Sequence, residues 1–397
     1  MRRGPTLAPL PHPHMVYEFI LAFLTAFGVT YYAIPSIIRI AHDKGLTDDP
    51  TDERRSHTVS TPSLGGIAIF CGILFSVIAW TPYELFAGLQ YVLCACIVIF
   101  LIGVKDDIIP SAPGKKLAGQ ILAATILVAA ADVRIPSLFG IFGVGALPPL
   151  AAGVLSVFTV IVIINAFNLI DGVNGLTGTI AVVAATALGT WFYLVGRPEY
   201  SVLAAALVGS TLAFLRYNWT PARIFMGDTG SLLLGLLIGV LTIEFIELHG
   251  DRLALPRASP YFFPAAPAAA IGLLIVPLFD TLRVFVTRAA RGRSPLQPDR
   301  NHIHHLLVDL GLSHIQTTLV LGGVAVSFIA LAVILQDMGN LSLLVIMLAL
   351  AGLGSFALTA QVRRRERALA ARERRRIAEA GARATAATFA AGEAVAS

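Results

Sequence analysis

Five polar clusters interrupt an otherwise apolar chain of 397 residues. They are TDDPTDERRSHTVSTPSLGG at 47–66, KDD at 105–107 with Lys115 and Lys116 beyond it, NAFNLIDGVNGL at 165–176, RIFMGDTGS at 223–231 and PDRNHIHHLL at 298–307. Asp106 and Asp107 are adjacent carboxylates directly after an apolar run. Like charges that close drive each other's pKa apart unless they share a cation or a proton, so the pair is either a solvated helix end or an ion-binding element. Asn165, Asn168, Asp171 and Asn174 recur every third residue, a spacing that drifts slowly around a helix and lets consecutive members face one pocket. Gly172 and Gly175 then end the helix and permit close backbone approach. Four polar groups exceed what capping needs, and the pattern favours a ligand site. Asp228 stands between two glycines at the start of the next apolar run, as an N-cap or as a ligand beside exposed backbone amides.

Asp and Asn donors without clustered cysteine are hard oxygen ligands, which select Mg2+, or Mn2+ in its place, over zinc. Magnesium held by few protein groups leaves coordination positions for phosphates. His302, His304 and His305, beside Arg300, Arg291 and Arg293, supply donors and positive charge for such phosphates or for a sugar. A zinc tract is the alternative, and the neighbouring arginines favour phosphate. A GxxxxGK(S/T) loop is absent, which excludes a P-loop ATPase. Asp280 is the one acid deep in an apolar run, with Arg283 three residues on. An internal ion pair at a Pro277 break accounts for it, and the sequence leaves open whether it reaches the site.

These residues must be positioned by membrane helices. Hydrophobic residues make up 56% of the chain and charged ones 13%, against roughly 25% charged in a soluble domain. Mean hydropathy is +0.78. A soluble globular protein is excluded, and the expected fold is an all-α polytopic membrane protein of about eleven transmembrane helices, each near the roughly 20 residues that cross a bilayer. The expected spans are Tyr17–Ile40, Leu64–Thr81, Phe86–Val104, Leu117–Ala131, Leu150–Ile170, Thr177–Val195, Val202–Leu215, Ser231–Leu248, Pro264–Val286, Thr317–Leu335 and Leu341–Ala360. Residues 1–16 form an N-terminal extension, too Pro-rich and too short of an apolar stretch to be a cleavable signal peptide, with Met15 a second candidate start. Residues 361–397 form a basic tail, expected as a helix along anionic lipid followed by a disordered end. Asp132–Pro149 reads as a short hairpin or re-entrant piece outside. Cys71, Cys94 and Cys96 lie in apolar runs and suggest neither a disulfide framework nor a zinc site.

Odd-numbered loops and the tail carry 22 of the 29 Lys and Arg, while the N-terminus and even loops carry 6. The asymmetry places the odd loops and the C-terminus in the cytoplasm and the N-terminus outside. All five polar clusters then share the cytoplasmic face. A transporter would place polar groups at mid-membrane, whereas a one-sided site fits an enzyme joining a soluble substrate to a lipid. The net charge of +5 is accounted for by these orienting residues rather than by nucleic acid.

In this order and on these loops, DDPTDERRSHTVSTPSLGG, GVKDD, NAFNLIDGVNGL, RIFMGDTGS and PDRNHIHHLL resemble the polyprenyl-phosphate N-acetylhexosamine-1-phosphate transferases of glycosyltransferase family 4. The resemblance covers residues 17–360, which it makes a transmembrane transferase domain, and is strongest to the bacterial UDP-GlcNAc branch. It implies transfer of a sugar 1-phosphate from a UDP-sugar to a polyprenyl phosphate, with release of UMP, as the first step of a lipid-linked envelope polysaccharide pathway. It further implies Asp228 as the main metal ligand with Asn168 beside it, Phe225 stacking on uracil, and Asn174 hydrogen-bonding it. Asp106 would deprotonate or orient the lipid phosphate, Asp107 would support the pocket, and Lys116 would hold that phosphate. Arg300, His302, His304 and His305 match a loop closing over sugar and diphosphate. Asn165, Asp171 and His57 complete the expected substrate-binding set, the plasma membrane is the expected location, and a homodimer is compatible with the family. Asn174 departs from the Asp of many members, but Asn keeps the acceptor oxygen and adds a donor. Direct attack by the lipid phosphate is the expected mechanism, a covalent Asp intermediate the alternative. The rival readings are the same reaction with UDP-MurNAc-pentapeptide or a modified hexosamine, against which HIHHLL departs from the three-histidine run of that branch, and a lipid-linked sugar transporter. A CDP-alcohol phosphotransferase would need a DGxxAR-type acid motif that is absent.

Overall fold

The computed structural model describes residues 13–47, 61–250, 255–292 and 302–396. Each of the eleven apolar runs is helical. In chain order the helices are α1 (Pro13–Asp43), α2 (Gly65–Trp80), α3 (Tyr83–Ile108), α4 (Pro113–Ala129), α5 (Pro149–Leu169), α6 (Leu176–Leu194), α7 (Pro198–Asn218), α8 (Gly227–Glu247), α9 (Ala266–Leu273), α10 (Ile275–Ala289), α11 (Ile303–Asp309), α12 (His314–Leu335) and α13 (Asn340–Ala396). Among the described residues, eight helices are long and apolar enough to cross a membrane, and α9 with α10, bent by 82°, would make a ninth. The chain is therefore a multi-pass membrane protein. Helices α2 and α4 are shorter, at 16 and 17 residues.

Helix α8 is apolar on every face and buried along its whole span, as such a pattern requires. It packs against α2, α3, α5 and α6, and the other helices surround this centre. Lipid offers no hydrophobic drive between helices, so contacts rely on close packing and polar pairs. Thr30 and Ser210 pair at 2.6 Å between α1 and α7, and the Ser76 hydroxyl donates to the Ala22 carbonyl at 2.6 Å between α2 and α1.

Three expectations are corrected. The ninth span breaks at Leu274, not at Pro277, because Pro277 falls in the first turn of α10, where a missing N–H costs little. The tail carries no disordered end through Ala396, since α13 continues unbroken from the last span through an Arg/Glu/Ala sequence of high helix propensity. His304 and His305, expected within a loop, lie in α11, with His302 extended at its N-cap. The 132–149 segment is the hairpin expected, with Ser137 bridging Ala146 and the Leu138 amide donating to the Gly145 carbonyl at 3.0 Å.

Candidate active site

The site is built around the N-terminus of α8. Gly227 there has φ +70°, and a Cβ would lie 2.2 Å from the Ser63 carbonyl and 2.6 Å from the Asp107 carboxylate, so only glycine fits. Asp107, in the last turn of α3, accepts the Asp228 amide at 2.6 Å, the Thr229 amide at 3.0 Å and the Thr229 hydroxyl at 2.5 Å. A carboxylate thus satisfies amides that lack partners inside the helix and complements the positive end of its dipole. The end of the first polar cluster pairs with the same turn: Phe225 N donates to the Pro62 carbonyl at 2.8 Å, and Gly65 N to the Phe225 carbonyl at 2.9 Å.

This leaves Asp228 facing the cleft. Its Oδ1 accepts the Asn168 amide at 2.7 Å, and that amide also reaches the Ser231 hydroxyl at 2.9 Å. Its Oδ2 pairs with the Lys116 ammonium, which lies 3.6 Å from Asp106 Oδ2. Asp106 Oδ1 accepts the Ser111 amide at 2.8 Å. One lysine therefore sits between two carboxylates from different helices.

The opposite wall is the loop after α5. Asn174 is held by donating from Nδ2 to the Thr220 hydroxyl at 3.3 Å and by accepting the Thr318 hydroxyl on its carbonyl at 3.0 Å. Asn218 accepts the Gly175 amide at 2.7 Å and donates to the Ile224 carbonyl at 2.9 Å, tying this wall to the segment that carries Phe225. The open cleft between these walls, of about 480 Å³, is lined by Asp106, Asp107, Asn168, Asp171, Asn174, Phe225 and Asp228, with Ser63 and Asn218. That volume suits a small organic ligand. Burial pushes the Asp171 carboxyl up to about 7.

The Glycosyl transferase family 4 model matches residues 89–246, the stretch that supplies most of this lining. A protein of Bacillus subtilis, "Probable undecaprenyl-phosphate N-acetylglucosaminyl 1-phosphate transferase", is 31% identical over 81% of this chain and 85% of its own length. The chain belongs to this family. "Undecaprenyl-phosphate alpha-N-acetylglucosaminyl 1-phosphate transferase" of Pasteurella multocida is 32% identical over 77% of this chain and 82% of its own. "Decaprenyl-phosphate N-acetylglucosaminephosphotransferase" of Mycobacterium tuberculosis is 29% identical over 77% and 79%.

Against this family frame, most expected site residues converge. Asp106, Asp107, Lys116, Asn168, Asp171, Asn174, Phe225 and Asp228 share one cleft or its immediate ion pairs. Asn165 does not join them. It donates to Gln120 Oε1 at 2.7 Å, a polar pair between α5 and α4 inside the bundle. His302 and His304 are buried, at 4% and 1% exposure, and do not line the cavity. Their rings stack with centroids 5.5 Å apart, and His305 lies 4.3 Å from His304. His57 and Arg300 lie outside the described residues. Ser63, Asn218 and Asp280 are the residues that sequence reasoning missed or left open. Asn218 had a signal, a polar residue closing an apolar run on the same face as the five clusters.

The donor set suits a hard divalent cation. The carboxylates of Asp106, Asp107, Asp171 and Asp228 line one cavity, and Lys116 pairs with two of them. Among the described residues no three acidic or histidine side chains converge as a complete cage. One or two carboxylates completed by substrate phosphates is the usual arrangement for magnesium.

Proposed function

We propose that this protein transfers GlcNAc-1-phosphate from UDP-GlcNAc to undecaprenyl phosphate or a similar polyprenyl phosphate, giving polyprenyl-diphosphate-GlcNAc and UMP. The reaction takes place at the cytoplasmic face of the plasma membrane and begins a lipid-linked envelope polysaccharide. The observation that carries this reading is Lys116 poised between Asp106 and Asp228 at the helix ends of a membrane bundle, where a phosphate on a lipid can meet a phosphate from water. The loop charge asymmetry supports the orientation.

Within this reading Lys116 binds the lipid phosphate, and Asp106 orients its attacking oxygen toward the β-phosphorus of the nucleotide sugar. Phe225 and Asn174 hold uracil, which fixes the diphosphate over Asp228. Mg2+, held by Asp228 with Asn168 beside it, would neutralise the diphosphate and stabilise departing UMP. Asp107 acts on neither substrate; it spends both oxygens on the α8 N-terminus and thereby fixes Asp228. Catalysis is then positioning and charge stabilisation.

The test is radiolabel transfer from UDP-GlcNAc to undecaprenyl phosphate in detergent with Mg2+, beside an Asp228→Ala variant and a tube offering UDP-MurNAc-pentapeptide. Labelled lipid from UDP-GlcNAc alone, lost in the variant, supports the reading. Label only from the pentapeptide donor reassigns the donor, and none from either overturns the reading.

A further inference from the structure

The buried acid of the bent span grips the histidine cluster from behind. Asp280, on α10 and 2% exposed, accepts His302 Nδ1 at 2.9 Å, the Ile303 amide at 2.9 Å and Arg283 Nη2 at 3.3 Å. Ile303 is the first residue of α11, and no side chain of α11's own N-cap satisfies that end. Asp280 therefore anchors the helix start and one imidazole together. A carboxylate on Nδ1 keeps a ring proton there and fixes the orientation of the ring.

The grip is transmitted to the cleft. The His302 ring stacks on that of His304 at an interplanar angle of 11°. His304 Nε2 lies 2.6 Å from where a Cβ on Gly172 would stand, so the ring bears on bare backbone of the cavity wall. The helix that follows backs the same wall, with Asn174 N donating to His314 Nδ1 at 3.4 Å and Thr318 bonding the Asn174 carbonyl.

We propose that Asp280 is a positioning residue: through His302 and His304 it holds the Asp171–Asn174 wall in register with Asp228 across the cleft. It touches no substrate. In Asp280→Asn the amide oxygen still accepts from Ile303 while the NH2 faces His302 Nδ1, so helix anchoring survives, but the ring loses its carboxylate and keeps a bond there only by moving its proton to Nε2.

The inference leans on the transferase reading only for its kinetic half, and two measurements on the full-length protein in detergent separate them. Hydrogen exchange read by mass spectrometry should be faster in the peptide spanning 171–174 in both Asp280→Asn and His304→Gln than in the parent protein. Transfer kinetics should show kcat/KM for the UDP-sugar down about 10–100-fold in each variant, the scale typical of residues that orient a ligand's partner. KM for the lipid acceptor should be unchanged, and the double variant should be no worse than the poorer single, as for residues acting along one path. Unchanged exchange at 171–174, or losses that multiply in the double variant, would overturn the proposal. If the parent protein transfers nothing, the transferase reading falls while the exchange comparison still decides this one. Should Asp280→Asn not fold, His304→Gln alone carries the same exchange test, and exchange equal to the parent's sinks the idea.

Discussion

The carboxylate of Asp107 accepts the backbone N–H of Asp228 at 2.6 Å, so an acid at the end of α3 sets the place of the acid at the start of α8. The two neighbouring functions of this cleft, anchoring and binding, are divided between residues that look alike in sequence. Asp106 and Asp107 are adjacent, yet one faces the lysine and the other is consumed by a helix terminus.

Alanine substitutions should separate these roles. Asp107→Ala removes a helix cap and is expected to cost about 0.5–2 kcal/mol of stability, lowering the thermal midpoint in detergent along with the transfer rate. Asp228→Ala should abolish transfer with a smaller shift in midpoint, because its own amide remains capped by Asp107. Equal midpoints for Asp107→Ala and the parent protein would refute the anchoring role.

Asn218 ties the Gly175 amide to the Ile224 carbonyl, so it supports at once the Asn174 and Phe225 sides of the cleft, the end proposed to hold uracil. Asn218→Ala leaves both buried groups without that partner and lets the walls move apart. Its KM for UDP-GlcNAc should rise about tenfold, equivalent to about 1.4 kcal/mol of lost binding, with the lipid KM unaltered. A variant that raises both KM values equally would show that Asn218 acts on the whole fold rather than on this end.

Burial pushes the His304 imidazole down to about 3, with the neighbouring His305 charge adding to the effect. The ordinary value of about 6.5 returns on unfolding. Between those values the unfolded chain binds a proton that the folded one refuses, so this residue costs stability as pH falls below about 6.5. The slope contributed is up to about 1.4 kcal/mol per pH unit. His304→Gln should therefore lose less thermal midpoint than the parent between pH 7 and 5. A parallel decline in the two proteins would show that His304 is not held neutral.

Much of this architecture was legible because a membrane helix needs only length and apolarity, which eight of the helices have and the bent α9–α10 pair has together, while α2 and α4 are helical but shorter. The cleft was legible for a different reason: Asp106, Asn168, Asp171 and Asp228 fall at span ends on one face, where topology alone brings them together. Asn165 was misplaced because α5 ends at Leu169, so Asn165 lies a turn inside the helix and about 60° around it from Asn168, while Asp171 and Asn174 belong to the loop beyond and not to a helix face. It also sits inside the bundle, where a polar side chain finds a partner on the next helix, here Gln120. The histidines were read as a cluster, which they form, but their burial behind the cavity wall was not legible, since nothing local records that His304 bears on Gly172 or that Asp280 reaches His302 from 22 residues away.

Lys116 gives the sharpest test of where a cation binds. Its ammonium pairs with Asp228 Oδ2 and lies 3.6 Å from Asp106, so it occupies ground that a divalent ion at Asp228 needs. An ammonium and a divalent ion about 4 Å apart repel by about 8 kcal/mol at an effective dielectric of 20, before solvent screening at this partly exposed site reduces the figure. Lys116→Met removes the competitor and should tighten Mn2+ binding, read by electron paramagnetic resonance of the free ion, at least tenfold. The same variant should transfer about a hundredfold more slowly, because it removes the ammonium proposed to hold the lipid phosphate. Affinity and rate thus move in opposite directions, which a general loss of folding cannot produce. Weaker Mn2+ binding in Lys116→Met would place the ion away from Asp228 and return that acid to a purely electrostatic partnership with the lysine.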